Sequence, residues 1–393
     1  MPLVMLANFG SIGDRADGSD AIAQKIDAVV GPGKPGVVFL TGAGDDGGMN
    51  NHAQAVVASG QTRTLRVQKG SAGEVLVQLW YRAGNRFNVS LTTPTASFGP
   101  YVAPADNAFD LQTTPEFTYG HNGAVYYGNT WRLVYLRLTG PTGIYTLGLT
   151  GATVTNGGFH ANRGGAHYGT GNVNQFLDAV VSSGTIWSGA TARYNIAPNS
   201  YVFRTSWQGL DGGNYTVSNQ GAVGDLWVGS SIGPTWDGRT GIDFSAPGER
   251  TITTYAPDSW WATFRANQVA DGAGQYGIAS AVSAAAPVAT GAIALLLQRN
   301  PRLDAATVKS TLQRTARRDT FTGSTPNTRF GHGKLDVLAA VAATTPLPVP
   351  TAVSNCLFDW AERSFPQFFS PRGAASGVLA DYHYFGTGDM GGA

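Results

Sequence analysis

Ser283-Ala-Ala-Ala-Pro287-Val-Ala-Thr-Gly291 runs directly into Ala292-Ile-Ala-Leu-Leu-Leu-Gln298. The stretch places a serine at the mouth of an apolar helix. Proline is tolerated in a helix's first turn, so the spacing predicts a helix that begins near Ser283. The unpaired N–H groups of such a terminus, with the macrodipole, favour negative charge. An oxyanion developing beside Ser283 would be stabilised there. The other reading of the same residues is a buried small-residue helix opened by an N-cap serine. Which applies depends on partners elsewhere in the chain.

Working outward, Leu3-Val-Met-Leu-Ala7 and Val37-Val-Phe-Leu40 are short apolar runs of the kind found in buried parallel strands. Between them residues 19–30 read as a helix with Ser19 as N-cap and Ile22, Ile26, Val29 and Val30 on one face. Strand, helix and strand in series predict a parallel sheet with a right-handed crossover. Around residue 61 the apolar period changes to two. Strands are expected at 64–68, 74–81, 87–91, 124–127, 132–138 and 145–149, separated by Gly, Pro or Asn turns, which suggests an antiparallel β-sandwich over 61–158. Residues 159–282 return to strands and long loops. Helices are expected at 283–299 and 304–318, the second capped by Asp304 with Ala305, Val308, Leu312 and Thr315 on one face. Residues 344–352 form a Pro-rich linker, and 353–393 a small aromatic-rich segment containing Cys356.

Composition narrows the function classes. The 393 residues are enough for two or more folded units. Net charge is +1, from 26 basic and 25 acidic residues without charge runs, which argues against nucleic acid as a partner. One cysteine rules out an internal disulfide. The apolar run 284–297 falls short of the ~20 residues of a membrane span, and Met1–Leu6 lacks the features of a signal peptide. No His, Cys, Asp or Glu cluster has metal-ligand spacing, and no cofactor or metal is expected.

Four segments together resemble the subtilisin-like serine proteases. The family's nucleophile signature is Gly-Thr-Ser-x-Ala-x-Pro with a glycine eight residues after the serine. Ser283, Ala285, Pro287 and Gly291 match it, while Ala281-Val282 replaces Gly-Thr. Ser230-Ser-Ile-Gly233-Pro-Thr…Asp237…Ala246-Pro-Gly248 looks like the segment that precedes the nucleophile in the family. Ala43-Gly44-Asp45 resembles the Ala-Gly-Asn that ends a strand and supplies an oxyanion-hole side chain. Asp45 stands where asparagine is expected, and it donates a hydrogen bond only when protonated. The alternative for Asp45-Asp46-Gly47 is a solvated turn. Asn8-Phe9-Gly10 sits where the family has Ser-Leu-Gly, the edge strand that binds the substrate backbone.

The resemblance covers about 1–58 and 159–341. It implies an α/β fold: a subtilisin-like parallel sheet with flanking helices, N-terminally incomplete. Residues 1–60 and 159–343 would form the partial catalytic domain and 61–158 an inserted antiparallel β-sandwich. It also implies serine endopeptidase activity on polypeptide substrates, with Ser283 as nucleophile, Asp45 at the oxyanion position and Asn8, Phe9 and Gly10 holding substrate, in an extracellular or cell-envelope setting. The family's Asp and His motifs lie before the Asn8 strand and do not occur here. None of the six histidines (His52, His121, His160, His167, His332, His383) has a His-Gly-Thr-His context. The chain alone is therefore expected to have little proteolytic activity and, with a sheet edge uncovered, marginal stability. The rival reading is a non-catalytic peptide-binding or adhesion protein on a degenerate protease scaffold.

Overall fold

A computed structural model describes residues 1–164, 168, 171–270 and 274–347. His167, His383, Cys356 and the segment 353–393 lie outside them. The chain enters on β1 (Leu3–Ala7), passes through α1 (Ala21–Val30) and returns on β2 (Val37–Thr41). The two strands pair in parallel from Leu3 opposite Val37 to Ala7 opposite Thr41. Asp20 caps α1, its carboxylate accepting from the N–H groups of Ile22 and Ala23. This corrects Ser19, whose hydroxyl donates instead to Asp17. The buried face of α1 is Ala23, Ile26 and Val30. Ile22 and Val29, assigned to that face by spacing, are exposed.

Eleven strands follow: β3 (His52–Val56), β4 (Thr62–Lys69), β5 (Val75–Arg82), β6 (Arg86–Thr92), β7 (Ser97–Tyr101), β8 (Phe109–Thr113), β9 (Phe117–Asn122), β10 (Trp131–Leu138), β11 (Gly143–Thr153), β12 (Gly158–Gly164) and β13 (Gln175–Phe176). They make a six-stranded antiparallel sheet in the order β3-β12-β5-β10-β9-β8 and a five-stranded one in the order β13-β4-β11-β6-β7. Alternation along β5, β6, β10 and β11 turns Val77, Leu79, Phe87, Val89, Leu136, Tyr145 and Leu147 into one apolar cluster shared by both sheets. The sheets recruit strands on both sides of residues 61–158. Residues 124–127 are a 3-10 turn rather than the expected strand. Two exposed side chains, Val125 and Tyr126, stand side by side there, which breaks the alternation a strand requires.

The parallel layer then resumes. Leu40 bridges Ile196 in parallel, and the chain continues into β14 (Pro198–Val202), which pairs in parallel with β17 (Phe244–Glu249). Two short hairpins, β15 (Ser206–Gln208) with β16 (Asn214–Thr216) and β18 (Thr251–Thr254) with β19 (Tyr276–Ala279), flank β17 in sequence. Ser245 bridges Lys334 in parallel, so the order across the layer is β1, β2, 196–202, β17, 334. Among the described residues β1 pairs only with β2, leaving its other edge open.

Three helices complete this layer: α2 (Val282–Arg299), α3 (Ala305–Thr315, capped by Asp304) and α4 (Val337–Ala342). In α3 the buried residues are Ala305, Val308, Thr311 and Leu312, so Thr311 takes the place expected for Thr315. Helix α2 is long and apolar enough to cross a membrane by length and composition, but Ala286, Ala289, Ile293, Leu296 and Leu297 are buried in the core with Val38, Leu40 and Phe244. Truncation of one of these side chains leaves a void in close-packed surroundings. Leu296→Ala is expected to cost about 2–5 kcal/mol, read from the urea midpoint at constant slope.

Candidate active site

Helix α2 starts at Val282, and Ser283 is its second residue, half-buried. Its N-cap, Ala281, has φ 76° and ψ −178°. That conformation suits glycine, and an alanine held there costs on the order of 1–3 kcal/mol.

Pro287 is the sixth residue of α2, in its second turn rather than its first. It has no N–H, so the carbonyl four residues earlier, that of Ser283, lacks its helical donor. Asn8 Nδ2 donates to that carbonyl at 2.7 Å. One side chain just past the end of β1 thereby ties residues 8–10, which leave the strand expected there and run on unpaired, to the backbone of Ser283. Phe9, next in line, is 78% exposed on the open edge.

Asp45 lies at the other side of the helix terminus. Its Oδ1 accepts from the Val282 N–H at 2.8 Å. The carboxylate therefore takes up one of the N–H groups that a helix terminus offers to an anion. Burial pushes the Asp45 carboxyl up to about 7, the Val282 N–H opposing and the Glu249 carboxylate adding to the rise. Asp46 is fully buried and is raised to about 8, mainly by burial. Asn51 Nδ2 donates to its Oδ1 at 2.6 Å, and the Trp187 indole N–H donates to its Oδ2. Ser231 fastens this loop: its Oγ accepts from the Asp46 N–H at 3.1 Å and its own N–H donates to the Gly44 carbonyl at 2.9 Å. The segment from Ser230 thus braces the Asp45 loop. Asp45-Asp46-Gly47 is a packed turn, not the solvated one of the alternative reading.

No described histidine hydrogen-bonds Ser283. His52 donates from Nδ1 to the Ser183 carbonyl at 2.6 Å, so its Nε2 is the acceptor facing His160 Nδ1 at 3.2 Å. His160 stacks on Trp236 with ring centroids 4.2 Å apart. His121 lies between the hydroxyls of Tyr81 and Tyr119. Burial lowers His52 to about 4 and His121 and His160 to about 3. These imidazoles are structural and neutral. His332, whose N–H donates to the Asp243 carbonyl, sits in the turn that leads to the Lys334 bridge.

Sequence reasoning missed Trp187. It is 8% exposed and lies between Gly10, in the segment after β1, and Gly44, in the Ala43–Asp45 loop. A single aromatic in the stretch Ser182–Thr191 carries no periodic signal. Its only sequence cue is its size among small residues.

Removing the Asn8 amide leaves the Ser283 carbonyl without its donor. Asn8→Ala is expected to lower stability by about 1–3 kcal/mol in urea unfolding. The pH dependence has a definite sign. Three histidines held neutral stabilise the fold above their ordinary value of 6.5, and that contribution is lost as pH falls toward 4. Asp45 and Asp46, raised from 3.8, act oppositely: their contribution is complete at low pH and declines as pH rises through 7 and 8. Above pH 6.5 the decline from the two carboxyls is expected to dominate among these groups, and Asp46→Asn should flatten it in thermal midpoints measured from pH 6.5 to 8.5.

The family model for the subtilase family (Peptidase_S8) matches residues 9–333. No curated protein matches the sequence. The CspB protease of Clostridium perfringens superposes with a TM-score of 0.65 at 18% identity, over 87% of this chain and 67% of that one. Fervidolysin from Fervidobacterium pennivorans, a keratinolytic enzyme related to subtilisin, aligns with a TM-score of 0.26 at 22% identity, over 40% of this chain and 20% of its own. The CspB superposition carries the fold. The match from Phe9 to Gly333 takes in Phe9, Gly10 and the start of α2, and the chain belongs to the subtilase family.

Proposed function

We propose that the chain is the greater part of a subtilisin-type serine endopeptidase domain, with Ser283 as the nucleophile that forms the acyl-enzyme. The observation that carries this reading is the convergence of the Asn8 amide and the Asp45 carboxyl on the two peptide groups that flank the Ser283 backbone N–H. In this reading a polypeptide lies along the open edge at Asn8, Phe9 and Gly10, and its carbonyl reaches Ser283 Oγ. The Ser283 N–H, on the first turn of α2, faces the developing oxyanion. The base and its orienting carboxylate would come from the family's histidine and aspartate motifs, so the chain by itself turns over slowly. Residues 1–60 and 159–343 serve as catalytic domain and 61–158 as an inserted β-sandwich whose sheets also take in β3, β12 and β13 from the flanking segments, with 344–352 as linker to 353–393. Extracellular or cell-envelope proteolysis fits the family.

Asp45 favours a second reading, a peptide-binding protein on a protease scaffold. An ionised carboxylate accepting the Val282 N–H repels an oxyanion, where an amide would attract it.

Labelling by a fluorophosphonate probe tests both. Slow labelling of the unaltered chain, abolished in Ser283→Ala, is expected. Asp45→Asn should accelerate it by about tenfold or more, since one oxyanion donor is worth roughly 10²–10³. Labelling that persists in Ser283→Ala would remove Ser283 as nucleophile. Rapid labelling of the unaltered chain would overturn its inactivity alone.

A further inference from the structure

The Trp187 ring fills the space between the two backbones that converge on Ser283. On one side is Gly10: a Cβ built there would lie 2.6 Å from Trp187 Cε3. On the other is Gly44, with φ +127°, where a Cβ would lie 2.7 Å from both Cδ1 and Nε1 of the same ring. Only glycine permits so close an approach, so both backbones rest on the indole itself. Gly10 is two residues from Asn8, which holds the Ser283 carbonyl; Gly44 adjoins Asp45, which holds the Val282 N–H. A carbonyl presented to Ser283 by a peptide on the Asn8–Gly10 edge would direct its own side chain into this gap.

The ring is fixed there. The Trp187 N–H donates to the Ala43 carbonyl at 3.0 Å, and the indole N–H donates to buried Asp46, which Asn51 holds in turn. Ile12, Ile186 and Ala197 pack in the same apolar cluster. Swinging the ring out would strip a buried carboxyl of a donor and open a void in that cluster.

We propose that Trp187 determines specificity by occupying the recess beside Ser283, so that the residue contributing the scissile carbonyl must be glycine or alanine. The inference rests on the reading of Ser283 as nucleophile and of Asn8–Gly10 as the substrate strand. It assigns the substrate class of that site: peptides cleaved after a very small residue. The same ring forms one wall of an apolar cavity of about 210 Å³ shared with Phe9, Ile22, Ile26 and Phe39. A bulky side chain would have to displace the indole or reach that cavity past it.

Two tetrapeptide boronic acids, identical except for an alanine or a phenylalanine analogue at the last position, provide the test. The boron accepts an electron pair from Ser283 Oγ as its proton leaves to water, so binding can be measured by calorimetry on the full chain without turnover. The unaltered chain is expected to bind the alanyl probe about tenfold or more tighter than the phenylalanyl one, and Trp187→Ala to reverse the order, in line with the roughly 10–200-fold that a change in pocket fit confers. Trp187→Leu, which keeps an apolar side chain against Ile12 and Ala197, should give an intermediate ratio and serves if the alanine variant does not fold. Equal binding of both probes by the unaltered chain, or a ratio unmoved in a folded Trp187 variant, would overturn the inference while leaving the nucleophile in place. Binding of either probe that persists unchanged in Ser283→Ala would instead overturn the reading of the site, and the inference with it.

Discussion

The carbonyl of Ser283 is the point on which the candidate site turns. Pro287 withdraws the donor that a regular helix would supply, and a buried carbonyl without a partner is costly. Asn8 supplies the missing hydrogen bond from the end of β1, across 275 positions of sequence. The apolar contacts of α2 with Val38, Leu40 and Phe244 fix how far the helix stands from the sheet. The Asn8 bond then sets where along its axis the helix begins relative to the strand. Two elements with no side-chain periodicity in common are thereby held in one register.

The terminus of α2 is unusual in two ways. Ala281 holds a backbone conformation that glycine would adopt without strain, and Asp45 presents an acceptor to the Val282 N–H. The two are adjacent in space through Val282. Asp45, Asp46 and Glu249 are all raised by burial, so little negative charge is present there at acidic pH and more accumulates as pH rises. A helix N-terminus attracts such charge, which explains why the Val282 N–H opposes the rise at Asp45. The terminus is thus occupied by the protein's own carboxyl.

Apolar runs were enough to find β1, β2 and α2, and periodicity to find β4, β5, β6, β10, β11, α1 and α3, because these last elements turn a regular stripe toward an apolar cluster. It failed where burial is irregular. β7, β8 and β9 contain Pro100, Asp110 and Gly120 and sit toward sheet edges, where alternation weakens. The short run 124–127 has β-forming residues, but its φ/ψ follow a turn closed on Gly128. Asp20 outcompeted Ser19 as a cap because the Ser19 hydroxyl was already taken by Asp17. At the site, the roles of Ser283, Asp45 and Asn8 to Gly10 came from resemblance alone. Nothing in the spacing of Asn8 or Trp187 announces their distant partners, the Ser283 carbonyl and Asp46, since tertiary contacts of single polar or aromatic residues leave no local pattern.

The six-stranded sheet also grips the loop that follows Gly10. The Trp80 indole donates to the Gly13 carbonyl at 2.7 Å, the Trp131 indole to Asp17 at 2.9 Å, and Arg15 lies over the Trp80 and Tyr127 rings. The Ala43 N–H meanwhile bonds the Pro198 carbonyl, and the Ala43 carbonyl accepts from the Trp187 N–H. Neighbouring strands of the parallel layer are therefore separated by the whole length of the two antiparallel sheets. Their pairing closes a very long loop, an entropic cost that falls once the sheets have formed and brought the ends together.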